Sequence, residues 1–191
     1  VTICTGSSRA TLHVGSPAEE GTVYAKDASR AEVFTIDASV LDDLKRDAGE
    51  YRQRDLFDAR SFNTTKIEIA RGGQTTVYEK KTVTGEDGRE EQKWQRVSPS
   101  EGDVDRTKVD SFLSTITGSR ADSFVAKAPA GAQTELTITL TFDGGKQEKV
   151  TFLRSGGDAY AVRDDADGAG RLLGTALDDI IKALPEGGQA P

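Results

Sequence analysis

The chain has 191 residues and a mass of 20.4 kDa, enough for one good-sized domain or for two or three small units sharing a core. Hydrophobic residues make up 35%, charged residues 30% and aromatic residues 6%, polar for a globular protein yet rich enough in apolar periodicity to exclude wholesale disorder. A net charge of -7 argues against nucleic acid or anionic lipid as a partner, and one Cys with one His excludes an internal disulfide and the usual His/Cys zinc clusters.

In chain order, residues Val1 to Thr5 and Arg9 to Val14 read as a hairpin turned at Gly6-Ser7-Ser8. A third strand follows at Val23 to Lys26, then a short added strand at Glu32 to Ile36. Asp37 or Ser39 starts a helix with the apolar stripe Val40, Leu41 and Leu44. Lys66 to Ala70, the turn at Gly72-Gly73 and Thr75 to Glu79 make a second hairpin. The polar excursion from Thr84 to Glu91 has its tip at Asp87-Gly88, and the strand Lys93 to Arg96 follows. Asp105 caps a helix whose stripe is Val109, Phe112, Leu113 and Ile116. From Leu136 to Phe142, alternation puts Leu136, Ile138, Leu140 and Phe142 on one face and threonines on the other. Asp143-Gly144-Gly145 turns this strand into Lys149 to Leu153, and Ala159 to Val162 is the third strand. Thr175 with Asp178 forms a capping box ahead of Leu177, Ile180, Ile181 and Leu184, with Leu173 on the same stripe.

The three stretches share one order: hairpin, strand with a central aromatic, loop, amphipathic helix. From the aromatic to the first aligned helix residue the spacing is 17 (Tyr24 to Leu41), 15 (Trp94 to Val109) and 17 (Tyr160 to Leu177). The pattern predicts an α+β protein of three tandem βββα units, antiparallel meander sheets each packed by one amphipathic helix. The units are 1–58, 59–125 and 126–188, followed by a tail at 189–191. Leu56-Phe57 and Phe124-Val125 are expected to anchor one unit to the next.

Catalytic signatures are missing: the sequence has no nucleophile elbow, no phosphate-cradling glycine loop and no zinc-protease helix. Gly72-Gly73, Gly144-Gly145 and Gly156-Gly157 join strands to strands, so turn geometry accounts for them. His13 falls on the polar side of its strand, opposite Leu12 and Val14, and reads as an exposed strand residue. Arg163-Asp164-Asp165-Ala166-Asp167-Gly168 lacks the closing bidentate Glu of a calcium loop. Asp42-Asp43 and Asp178-Asp179 read as solvated carboxylates near helix N-termini. The expectation is therefore no catalytic residue, no cofactor and no metal. Tyr24, Trp94 and Tyr160 are expected to plug each sheet against its helix, or, in the alternative, to line a groove. No stretch approaches a bilayer-spanning apolar run, and a start in strand residues without Met predicts a fragment or mature form whose anchor, if any, lies upstream. Cys4 follows Ile3 where a lipoprotein site wants a small residue, and reads as a strand cysteine.

The run from Gly21 to Leu44 (GTVYAKDASRAEVFTIDASVLDDL), with Tyr51 to Phe57 (YRQRDLF), Lys66 to Ile69 (KIEI), Leu136 to Phe142 and Gly157 to Arg163 (GDAYAVR), resembles the bacterial domain of unknown function numbered 4340. The resemblance covers most of the chain and carries no active-site residues. It implies an N-terminal membrane anchor, a repeated domain on the extracytoplasmic side, and association with an ABC-type transport system related to gliding motility. The functional expectation is a non-catalytic accessory domain that binds another protein, with ABC-type transporter subunits as the partner and no nucleic acid. The rival is a small-molecule, lipid or glycan-binding module with a pocket between units. Least favoured is a hydrolase built on paired carboxylates, which would need carboxylates of different units to converge.

Overall fold

The computed structural model describes residues 1–84 and 89–185, and the chain divides into two compact units, Val1–Tyr51 and Arg52–Pro191. The predicted hairpin tip at Asp87-Gly88 and the tail at 189–191 lie outside the described residues.

In the first unit, β1 (Thr2–Thr5), β2 (Ser8–Pro17), β3 (Thr22–Asp27) and β4 (Val33–Asp37) form an antiparallel meander in that order. The helix α1 (Ser39–Leu44) and a 3-10 turn at Ala48–Tyr51 follow. The register pairs Ile3 with Ala10, Val14 with Ala25 and Ala25 with Phe34, so one face collects Ile3, Leu12, Val14, Val23, Ala25, Phe34 and Ile36. The other carries Thr2, Thr11, His13, Tyr24 and Lys26; His13 is exposed there, across from Lys26, where alternation predicts it. Among the described residues of this unit only Val23 and Ala25 are buried. The predicted helix is only six residues long and buries no residue; the Ser39 amide donates to Asp37 at its start (2.8 Å) and the chain leaves the helix at Lys45.

The second unit contains β5 (Thr64–Arg71), β6 (Gln74–Thr84), β7 (Glu90–Ser98), β8 (Gly102–Asp103), α2 (Arg106–Gly118), β9 (Ser123–Val125), β10 (Gln133–Phe142), β11 (Lys146–Ser155), β12 (Asp158–Arg163), β13 (Ala169–Leu172) and α3 (Ala176–Lys182). Its nine strands make one antiparallel sheet in the order β8-β7-β6-β5-β10-β11-β12-β13-β9. Ile67 and Ile69 face Leu140 and Ile138 across the β5–β10 seam, and Leu136 and Ile138 face Phe152 and Val150 across the next ladder. These residues and the predicted stripe of α2, Val109, Phe112, Leu113 and Ile116, are all buried in one core, together with Leu177, Ile180 and Leu184 of the α3 segment. Each such Phe, Leu or Ile contributes roughly 1.5–3 kcal/mol on burial. Asp105 caps α2 as predicted, accepting from the Thr107 amide at 2.8 Å.

The expected α+β plan of three tandem βββα units is overturned: the described residues are mostly β-sheet, 50% strand against 16% helix, in two antiparallel sheets with three helices. Three-stranded units standing alone would each leave two open edges. Pairing β5 with β10 closes two of them with backbone hydrogen bonds and lets α2 and α3 pack together over one continuous apolar face. The capping box is also replaced: the Thr175 hydroxyl donates to Asp179 (2.9 Å), while Asp178 accepts from Arg154 Nη2 (2.7 Å) and ties α3 to β11.

Candidate functional site

The three aromatics are not equivalent. Tyr24 lies on the polar face of the first unit's sheet and is 47% exposed. Trp94, on β7, is buried on the face that α2 covers, and its Nε1–H donates to Asp110 Oδ1 of α2 at 3.3 Å. Tyr160 is also buried, but its register with Leu153 and Arg171 puts it on the opposite face from Ala159 and Ala161, which belong to the core. Trp94 alone therefore plugs sheet against helix in the expected way.

Two clefts of about 400 and 690 Å³ border Trp94. The smaller is lined by Ser61, Phe62, Lys80, Gln92, Arg106 and Asp110 in addition to the indole. Phe62 stands at this cleft 82% exposed. Arg106 Nε donates to Asp110 Oδ2 at 3.2 Å, so both oxygens of that carboxylate have partners. The alternation that makes Tyr78 core also places Lys80 inward, a signal present in the sequence but overlooked there.

A second polar cluster gathers on β11 and β12. Glu148 pairs with Leu140 across the ladder, so its side chain faces inward and is only 8% exposed. One of its oxygens accepts from the Asp58 and Ala59 amides at 2.9 and 3.0 Å. Burial pushes the Glu148 carboxyl above its ordinary value, and those two amides only partly offset this. Arg163, also inward, donates to both oxygens of Asp165 (2.9 Å each) and to Asp58 at 3.3 Å, and lies 3.8 Å from Glu148. Its pKa rises through the Asp165 hydrogen bond against the pull of burial. For Asp58 burial works upward, but the Arg163 hydrogen bond and charge prevail and hold it below its ordinary value. Beside this network is a cleft of about 250 Å³ in which the Arg52 guanidinium stacks on Phe124 (4.4 Å) and donates to the Asp167 carbonyl.

The acidic turn is thus bound into the fold: Asp165 to Arg163, Asp164 to Lys149 at 3.0 Å, and the Asp167 carbonyl to Arg52. Glu148 is a latch holding the 58–59 backbone to the sheet; an inward carboxylate engaged by two amides is poorly placed for proton transfer. Asp43 accepts from Arg46 at 2.8 Å, and Asp178 and Asp179 are engaged within their own unit as described.

The first unit offers a surface of another kind. Its apolar face, covered at Val23 and Ala25, exposes Ile3 (67%) on the edge strand β1 and Phe34 (43%) on the opposite edge strand β4, with Val40 and Leu44 of α1 also exposed. Its edge strand β1 has the sequence TICT, with no charge and no Pro to guard it.

The chain belongs to the family described as Domain of unknown function (DUF4340), whose model matches residues 1–139. No curated protein and no solved structure matches the chain. Among the described residues no helix is long and apolar enough to cross a membrane.

Proposed function

We propose that this chain is a non-catalytic protein-interaction domain, held on the extracytoplasmic side of a bacterial membrane in its full-length form, and an accessory part of an ABC-type transport complex related to gliding motility. The observation that carries the binding role is the exposed apolar surface at the two edges of the first unit's sheet, Ile3 on the uncharged edge strand β1 and Phe34 on the opposite edge strand β4. A partner strand added to β1 would satisfy its free backbone groups and extend the apolar face over the partner's own side chains. The membrane tether and the transporter association rest on the family resemblance.

The test is site-specific photo-crosslinking of the full-length, membrane-tethered protein in native cells. A photoreactive residue at position 34 is expected to capture transporter subunits, while one at Lys146, exposed at the start of β11 in the other unit, captures none. Equal capture from both positions, or no transporter subunit from position 34, would overturn the reading.

A further inference from the structure

Lys80 is a cation turned inward, held by the Trp94 ring face and a backbone carbonyl but paired with no carboxylate within 4.0 Å among the described residues. Along β6 the residues Thr76, Tyr78 and Lys80 point to the face that α2 covers, and the first two are buried. Lys80 follows them inward, half-buried, with its ammonium 5.0 Å from the centroid of the Trp94 ring. Its hydrogen bond is a long one, 3.4 Å to the Ser61 carbonyl. Asp110 attracts it from a distance but gives its two oxygens to Trp94 and Arg106, and among the described residues no carboxylate lies within 4.0 Å of the ammonium. Burial pushes the Lys80 pKa below its ordinary value, Asp110 opposing this and Arg106 adding to it. A cation removed from water in this way is stabilised by any anion that reaches it, more strongly than an exposed lysine would be.

The surroundings specify what that anion should carry. Lys80 and Arg106 against Asp110 leave one net positive charge in the cleft of about 400 Å³, which suits a single carboxylate. Arg106 uses its Nε on Asp110 and is mostly solvent-exposed, leaving its outer guanidinium edge available for a charge-assisted hydrogen bond. The exposed Phe62 ring supplies a flat apolar surface for a ligand ring, and Gln92 an amide for a polar substituent. The geometry points to a binding site for a small monoanionic ring carboxylate, its carboxylate between Lys80 and Arg106 and its ring against Phe62.

The site lies wholly within the second unit and is independent of the docking face on the first. The Trp94 indole N–H, bonded to Asp110 beside the ammonium, is a built-in reporter by NMR. Sodium benzoate and sodium glucuronate, an aromatic and a sugar carboxylate, are titrated separately into the whole chain at constant ionic strength. At least one is expected to shift the indole resonance saturably, the stronger identifying the ring type, and Lys80→Met, which keeps the aliphatic stem, is expected to weaken that binding by about tenfold or more. Arg106→Gln, at an exposed position, gives the second variant and is expected to weaken binding while leaving the spectrum of the fold unchanged. The inference is overturned if neither carboxylate gives a saturable shift, if sodium chloride reproduces it, or if both variants bind as the parent does.

Discussion

Trp94 and Tyr160 hold matching places in the chain's sequence pattern yet point to opposite faces of the same sheet. Trp94 pairs with Lys80 on the side of α2, whereas Tyr160 pairs with Leu153 on the side away from the core. A shift of one residue along a strand exchanges its faces, so equal spacing to a following helix does not fix which face an aromatic takes.

Leu177 is buried between α3 and the sheet. Leu177→Asp is expected to abolish the cooperative melt of the second unit by circular dichroism, because the charge has no partner there. Leu177→Ala should lose about 2–5 kcal/mol. A parent-like melt for the Asp variant would contradict this packing.

His13 is exposed on the polar face of the first sheet, across from Lys26. His13→Ala is expected to change the unfolding free energy by no more than about 0.5 kcal/mol in urea titration, and to leave partner capture intact. A larger loss would mean that the polar face of the first sheet is not free.

Gly168 has φ of +85°, and a Cβ there would lie 2.6 Å from the Val125 carbonyl oxygen. Gly168→Ala is expected to lose about 1–3 kcal/mol and to loosen the Ala169–Val125 pairing of β13 with β9, seen as faster amide exchange. Gly157→Ala, with open space around its Cβ, is the control expected to stay near parent stability. Equal stability of both variants would rule out the strain.

Acid should weaken the Arg163–Asp165 pair. The Arg163 hydrogen bond, opposed by burial, holds the Asp165 carboxyl below its ordinary 3.8. A lowered folded-state pKa contributes stability that is fully present above the unfolded value and is lost as pH falls through the folded one. Glu148 has the opposite sign, since its raised pKa makes ionisation cost stability as pH rises past 4.5. The stability difference between the parent and Asp165→Asn is therefore expected to be constant above about pH 5 and to shrink at lower pH. Asp165 is more than half exposed, so solvent screening keeps the full difference below about 1 kcal/mol. A difference that persists unchanged to about pH 2.5 would show that the pair does not titrate in this way.

Local structure was legible where one face is buried and the other wet. The alternation of Leu136 to Phe142, the stripe of α2 and the Asp105 cap all follow from periods of 2 and 3.6 and from capping chemistry, and all are present. Period two says which side a residue faces but not which strand lies alongside, so the β5–β10 seam was invisible and whether the three units share one sheet stayed open. The inward Lys80 and Glu148 were legible in principle, two residues from Tyr78 and Val150 on the same face. The sequence pattern does not single them out, because what covers them, the 58–62 segment and α2, is brought there by tertiary packing.

The β5–β10 seam also bears on how the protein comes to be made. Ile69 and Ile138 meet across it although roughly seventy residues of chain lie between them, a long loop to close before the contact forms. During synthesis β5 emerges well before its central neighbour, with Ile67 and Ile69 unburied and one backbone edge unpaired until β10 has cleared the ribosome. The interval is one in which the nascent half-sheet is open to pairing with the wrong strand, and in which a holding chaperone would have most to protect.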